Sequence, residues 1–339
     1  MRIAQVAPLS VRVPPGRYGG TERVIYDLTE ALVARGHDVT LFASGDSHTS
    51  ARLVAEVPRA LWQEPTADAV AADFLLHAHV FRRAAEFDLI HTHTGYSAFP
   101  YIAHAPAAVV TTLHGRLDLA QTQEIFRCFP EARLVSISRA QQAYAPDANW
   151  ADNIYHGLAL QDYPFDAEGG DGLVFVSRMC REKAPDVAID VAIEAGIPLT
   201  LAGRIDPLDQ DYFEQVIRPK LAHPLLHFAG EVTDEQKLQL MGRARALLFP
   251  IDWPEPFGLV MAEAMACGTP VIARPKGAAP EVVVDGVTGY LADTRAALVD
   301  AVKAVPQLDR AACRRHVETH FSVATMTQHY EDLYRRLIA

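Results

Sequence analysis

The sequence predicts an α/β protein of two Rossmann-like, doubly wound domains facing a central cleft. Three observations predict it. Short β-rich apolar runs alternate with helix-periodic stretches along the whole chain, the pattern of parallel strands joined by crossover helices. The runs fall into two sets of about five. The 339 residues also exceed what one hydrophobic core ordinarily serves, which favours two domains.

In the first set the strands are "RIAQVA", "DVTLFA", "DLIHTH", "AVVTTL" and "RLVSIS"; in the second they are "GLVFVS", "PLTLAG", "LLHFAG", "ALLFP" and "TPVIA". Between them, "EALVARGHDVTLF", "VAIEAGIPLTLAG" and "EAMACGTPVIA" each read as helix, turn and strand, with Gly36, Gly196 and Gly268 ending the helix in the left-handed conformation. "DYPFDAEGGDG", Asp162 to Gly172, interrupts both periodicities and marks the hinge, giving domains 1–164 and 165–320. The remainder, 321–339, is helical, with an apolar stripe through Met326, Tyr330, Leu333 and Leu337. In two such domains ligands bind at the carboxyl ends of the strands, so the crevice between them is where chemistry is expected.

A formal net charge of -11, with no Lys/Arg run longer than a pair, argues against nucleic acid as a partner. Cys128, Cys180, Cys267 and Cys313 are widely spaced without a C-x-x-C pair, so neither a disulfide framework nor a zinc knuckle is indicated. The amino terminus lacks a signal-peptide pattern and no window approaches a membrane span. The expectation is a soluble, untargeted, cytoplasmic protein.

In the second half, "WPEPFGLVMAEAMACGTPVIA" sets two acids beside an apolar segment. Pro254, Pro256 and Gly258 oppose helix, so the helix begins near Gly258 or Leu259, with Glu255 on the preceding loop and Glu263 in the first two turns. On one continuous helix the two acids would stand roughly 80° apart, no tight facing pair. The amides of Gly258, Leu259 and Val260 form a phosphate cradle at the helix N-terminus. Carboxylates repel phosphate, so their partners are hydroxyls farther along the same ligand: a ribose at one acid and a hexose at the other suit a nucleoside diphosphate sugar. The plainer reading is a dipole-complementing Glu263 and a solvated Glu255. "LVFVSRMCREKAPD" sends Arg178 and Lys183 off the carboxyl end of the second domain's first strand, where they would meet an anion, or else form a charged surface turn.

In the first half, "PPGRYGGTERVIYDL" follows the first strand, and Gly16, Gly19 and Gly20 precede a helix with Thr21 as N-cap. Such a loop lets backbone approach a phosphate or sugar. It is not G-x-G-x-x-G, and the connection is long for a dinucleotide site, even with Asp46 placed to mimic a ribose-binding acid, so a nicotinamide cofactor is not expected. His91 and His93 share one face of a strand, as a metal pair would, but no third ligand stands nearby. His114 ends a strand before Gly115 and is aimed into the crevice or is an ordinary loop histidine. Arg116 and Asp118 either touch an acceptor or pair with each other. Asp209 and Asp211 make a nominal D-x-D in a solvated loop.

"VSRMCREKAPD" resembles the "GRL-x-x-x-K-G" segment of retaining glycosyltransferases of family 4. "EPFGLVMAEAMACGTPVIA", followed by "GAAPEVVVDGVTGYL", is similar to their E-x7-E signature. The likeness extends from "YGGTERVIYDLTEALVARGHDVTLFA" to "FSVATMTQHYEDLYRRL". It implies the GT-B fold, with an acceptor domain, a donor domain and a last helix crossing back to the first. It implies retaining hexosyl transfer from a UDP- or GDP-sugar to a saccharide or glycoconjugate, without a required metal or cofactor. By the resemblance Arg178 and Lys183 hold the diphosphate, Glu263 the ribose and Glu255 the transferred sugar. Phe257, Gly258, Leu259 and Val260, with Gly19 and Gly20, also contact the donor, and His114 lies beside the sugar. Catalytic weight falls on His114, Arg178, Lys183 and Glu255. Ser177 and Ala184 replace glycines of the pattern, "GAAPE" stands for "GGxPE", and His156 occupies a usual asparagine. The alternatives are a nucleotide-sugar epimerase of the same architecture and a non-catalytic nucleotide-sugar-binding protein.

Overall fold

A computed structural model of the protein describes residues 1–16, 19–64 and 68–339. The chain divides into two compact units, Met1–Leu158 with Ser322–Ala339, and Ala159–Phe321. The division falls before the hinge expected near residue 164, because Arg314 donates to the carbonyls of Leu160 and Tyr163 and fastens that segment to the second unit. Phe321 stays with the second unit as well, edge-on to Phe257.

The first unit holds β1 (Arg2–Val6), β2 (Asp38–Ser44), β3 (Arg52–Val57), β4 (Leu89–Thr92), β5 (Ala108–Thr112), β6 (Leu134–Ser136) and β7 (Trp150–Asn153), in the order β3-β2-β1-β4-β5-β6-β7. All neighbours are parallel. The second unit holds β8 (Leu173–Val176), β9 (Leu199–Ala202), β10 (Leu226–Gly230), β11 (Ala246–Phe249), β12 (Val271–Ala273) and β13 (Gly289–Leu291), in the order β10-β9-β8-β11-β12-β13, again all parallel. Each order reverses once, at β1/β4 and at β8/β11. Those two switch points are where a doubly wound sheet opens a crevice at its strand ends.

Parallel strands packed on both faces need continuous apolar runs, and the central strands have them: Ile3, Ala4 and Val6 in β1, and Leu173, Val174 and Phe175 in β8, are all buried. The strands that the pattern did not announce lie at or beside the sheet edges. β3 is half-buried, β7 is half-buried and polar in "WADN", and β13 has three residues. One face of the second sheet is covered by the helix Pro185–Ala195, which buries Ala188, Ile189, Val191 and Ala192 at helical spacing. Burying Ile189 and Val191 contributes about 2 kcal/mol each, and each alanine methyl less than half of that.

Gly36, Gly196 and Gly268 end their helices with φ of 83°, 69° and 87°. The helix after the glycine loop starts earlier than expected: it spans Gly20–Ala34 with Gly19, not Thr21, at its N-cap, since Gly19 takes the φ of 149° that a side chain would resist. Ala184 caps the helix Pro185–Ala195 from the left-handed region at φ 52°, the position where the family pattern carries glycine.

The last helix, Val323–Ile338, belongs to the first unit and buries Met326, Tyr330, Leu333 and Tyr334. It is tied down by Glu331, which binds Arg35 at 2.7 Å and His37 at 2.6 Å. Burial alone would raise the Glu331 pKa, but these two hydrogen bonds outweigh it and hold the carboxyl below its usual range. Among the described residues no helix is long and apolar enough to cross a membrane.

Candidate active site

In the second unit the candidate groups gather where β8 and β11 end. The helix Leu259–Ala266 starts from Gly258, whose φ of 77° turns the chain abruptly from loop into helix. Met261 N–H bonds to Gly258 C=O at 2.9 Å; the amides before it belong to the turn whose N–H groups a helix leaves without internal acceptors. Gly258, Leu259 and Val260 thus form the first turn of this helix. Phe257 does not present its ring there: the side chain is buried, 5.6 Å from Phe321 between ring centroids, so a ligand would meet only its main chain.

Glu255 lies on the loop before that helix, and its carboxylate ion-pairs with Lys183. Trp253 Nε1 donates to the same oxygen at 2.8 Å, and the Lys183 ammonium rests 4.7 Å from the Trp253 ring. The loop's main chain is gripped from the other side. Ala278 N–H bonds to Glu255 C=O at 2.8 Å, and a Cβ on Gly277 would come within 2.3 Å of both Glu255 N and O. Only glycine fits, and it sits at φ 56°.

Glu263 has its own cation. Lys237 Nζ bonds to it at 2.7 Å and lies 3.3 Å from Asp234, while the Tyr163 hydroxyl stands 3.5 Å away. Burial works to depress the Lys237 pKa, yet the two carboxylates prevail and raise it. Arg178 donates to Asp206 at 3.2 Å and lies 4.0 Å from both Asp209 and Glu182. Asp206 is shared with Arg204 at 2.5 Å. The unit therefore pairs Lys183 with Glu255 and Lys237 with Glu263, on the loop and helix around Gly258, and sets Arg178 in a cluster with Asp206, Asp209 and Glu182. Asp209 enters that cluster as a neighbour of Arg178. Among the described residues no three His, Cys, Asp or Glu side chains are grouped to hold a metal ion.

Lys237 was not singled out from sequence. Its signal is the Thr233–Gln236 capping box, which starts a helix directly after β10 and carries Lys237 to the same end of the sheet as Arg178.

In the first unit the corresponding strand ends carry imidazoles instead of charges. His91 and His93 lie on one strand face, with ring centroids 4.0 Å apart. His93 Nδ1 faces His114 Nε2 at 2.9 Å, and the His114 ring stacks on His156 at 5.1 Å. Gln141 fixes the turn bearing His114 by donating to Leu113 C=O at 2.9 Å and Gly115 C=O at 2.8 Å. Burial lowers the pKa of all four histidines, of His114 to about 3. They are neutral at pH 7. The ring nitrogens of His93 and His91 are engaged by Gln5, His114, Thr112 and Tyr334, not arranged around a metal.

Elsewhere in this unit Gly19 caps its helix over Glu22, a buried carboxyl whose pKa is pushed up by burial to about 6. Gly20 is the first helical residue; the neighbouring Arg17 and Tyr18 of the glycine loop lie outside the described residues. Arg116 and Asp118 pair with each other at 2.8 Å. Asp46 accepts from Ala60 N–H at 3.1 Å and serves its own loop.

Comparison with known proteins accords with this geometry. The family model "Glycosyl transferases group 1" matches residues 166–316, and "Glycosyltransferase Family 4" matches residues 18–186. The chain is 29% identical to a glycogen synthase of Mycobacterium tuberculosis over 93% of this chain and 88% of that protein. It is 26% identical to a phosphatidyl-myo-inositol mannosyltransferase of Mycobacterium leprae over 91% of this chain and 88% of that protein. The crystal structure of Anabaena HepE in complex with UDP-glucose superposes with a TM-score of 0.75 at 20% identity, covering 99% of this chain and all of that one. Two parallel doubly wound units, one with its ion-paired strand ends and one with its histidines, and two family models that together run through both, have one reading: the chain belongs to the group 1, family 4 glycosyltransferases and has the GT-B fold.

Proposed function

We propose that this glycosyltransferase moves a hexose from a UDP- or GDP-sugar to a saccharide or glycoconjugate acceptor with retention at the anomeric carbon. The observation that carries this is the pairing Lys183–Glu255 and Lys237–Glu263 on either side of the Gly258 turn. Diphosphate oxygens and sugar hydroxyls need opposite partners a few ångströms apart, and each pair holds one of both kinds. When a diphosphate draws Lys183 toward itself, the Glu255 oxygen is left to accept hydrogen bonds from the sugar. Glu263 would take the ribose hydroxyls in the same way. The relatives named above differ in what their names state, UDP-glucose in one and mannosyl transfer in another, so the base and sugar are set by experiment.

In this reading the bond between the anomeric carbon and the diphosphate oxygen breaks, and negative charge grows on the leaving group. Arg178, Lys183 and the amides of Gly258, Leu259 and Val260 stabilise it, which is electrostatic catalysis by groups already in place. The acceptor oxygen bonds to the anomeric carbon on the same face, and its proton passes to an oxygen of the departing diphosphate. His114 contributes a hydrogen bond to the transferred sugar. No metal ion or cofactor takes part.

The test is a donor-by-acceptor screen read by mass spectrometry, with the anomeric configuration of product followed by proton NMR. Nucleoside diphosphate release that requires acceptor, with retained configuration, is the expected result. An epimeric nucleotide sugar, an inverted product, or binding without turnover overturns the proposal.

A further inference from the structure

The buried polar chain in the first unit has a direction. Gln5 Oε1 can only accept, so its 2.8 Å contact with His93 Nε2 requires a proton on that nitrogen. His93 is 4% exposed and neutral, so its Nδ1 is bare and must accept. At 2.9 Å its donor is His114 Nε2–H. His114, also neutral, then keeps a lone pair on Nδ1, a buried atom with no hydrogen-bond partner among the described residues. Buried acceptors are ordinarily satisfied, which marks this one as waiting for a donor from outside the chain.

The other end agrees. Gln5 Nε2 donates to the Tyr334 hydroxyl at 3.3 Å, so Tyr334 gives its own proton to His91 Nδ1 at 2.6 Å. His91 Nε2–H then donates to Thr112 at 2.7 Å, and Thr112 to the Tyr330 hydroxyl at 2.9 Å. Turning the Gln5 amide over would reverse every bond and put the proton of His114 on Nδ1. Gln5 thus selects between two self-consistent polarities.

We infer that Gln5, His93 and Tyr334 are positioning residues that hold His114 as the Nε2–H tautomer, so that its Nδ1 accepts a hydrogen bond from a hydroxyl of the bound sugar. The inference rests on the reading that His114 faces the sugar. Sequence gave no hint of it, because the chain joins β1, β4 and the last helix across hundreds of residues.

The test is nitrogen-15 NMR of ring-labelled histidines in the full chain without substrate, together with kinetics. Wild type is expected to show His114 protonated on Nε2 alone. Gln5→Met, which keeps volume and removes both polar contacts, is expected to give mixed His114 tautomers and to lower kcat about tenfold with a smaller change in donor KM. Tyr334→Phe removes only a hydroxyl and is expected to act in the same direction more weakly; it carries the test should Gln5→Met fail to fold. A proton on His114 Nδ1 in wild type overturns the inference, as does a tautomer shift that leaves kcat unchanged. Wild-type transfer by His114→Ala would instead remove the reading beneath it, while the substrate-free spectra still judge the chain of hydrogen bonds by themselves.

Discussion

The two units are the same architecture with opposite electrostatics at their strand ends. In both, the sheet order reverses once, and the candidate groups stand beside that reversal. In the second unit those groups are Arg178, Lys183, Lys237, Glu255 and Glu263, charged and paired. In the first they are His91, His93, His114 and His156, uncharged and joined by short hydrogen bonds or stacking. A fold therefore sets where a ligand can be met, while the side chains at the strand ends set what chemistry is offered there. Phosphate charge suits the second unit. Neutral hydroxyls suit the first, because a buried neutral imidazole offers a directed hydrogen-bond acceptor without a net charge.

That contrast can be broken most forcefully at Arg178. Arg178→Ala removes a cation from the charged unit and leaves Asp206 and Asp209 facing the same space, so kcat/KM is expected to fall by about 100- to 1000-fold. Donor titration by calorimetry and steady-state kinetics check it; unchanged donor affinity would remove Arg178 from the site. Next comes Gly277→Ala. The added Cβ would press on the Glu255 main chain from a residue already at φ 56°, so the second unit is expected to lose about 3 kcal/mol of stability and donor affinity to weaken. Urea unfolding and donor binding measure the two effects, and a fully stable variant would show that the loop grips Glu255 less tightly than the geometry implies.

The neutral unit is sharpened by acid. A buried histidine whose folded pKa is depressed binds its proton more readily when unfolded, so stability rises with pH between the folded and unfolded values and is lost as pH falls below about 6.5. For His114 the window reaches down to about 3. Each such histidine contributes a slope of about 1.4 kcal/mol per pH unit inside its window. Glu22, raised to about 6, acts with the opposite sign between its unfolded value and that pH and partly offsets it. Unfolding midpoints are thus expected to drop between pH 7 and pH 5, and His114→Gln to flatten the drop by about one proton; an unchanged slope would mean that His114 titrates normally. The smallest effect belongs to Ala184→Gly. Relief of the left-handed alanine outweighs the added freedom of the unfolded chain, for a net gain of about 0.5 kcal/mol by urea unfolding.

Much of this was legible in the sequence, and the boundary of legibility has physical causes. Central strands such as "LVFV" and "RIAQV" announce themselves because both faces are covered. "RLVAEV", "WADN" and "GYL" do not, because exposure at or near the sheet edge relaxes the demand for apolar residues. Glu255, Glu263, Arg178 and Lys183 could be picked out by proline, glycine and strand-end rules that act over a few residues. Their partners could not. Lys183 meets Glu255, Lys237 meets Glu263, and Gln5 meets Tyr334 only because the fold brings together segments far apart in sequence. Gln141, which braces the His114 turn, looks like any polar residue of a helix until its two carbonyl partners are seen.

The return of Ser322–Ala339 to the first unit has a consequence for how the molecule is made. The second unit is one continuous stretch, Ala159–Phe321, whereas the first is split around it. On a ribosome the second unit can finish folding while the first still lacks the helix that carries Tyr330 and Tyr334. Until that helix emerges, His91 Nδ1 and Gln5 Nε2 lack the Tyr334 hydroxyl they close on, and the surface that buries Met326, Tyr330, Leu333 and Tyr334 stays uncovered. The nascent chain is thus most exposed to chaperones and proteases in its amino-terminal half, and a stop codon at residue 323 would yield a complete second unit attached to an unfinished first one.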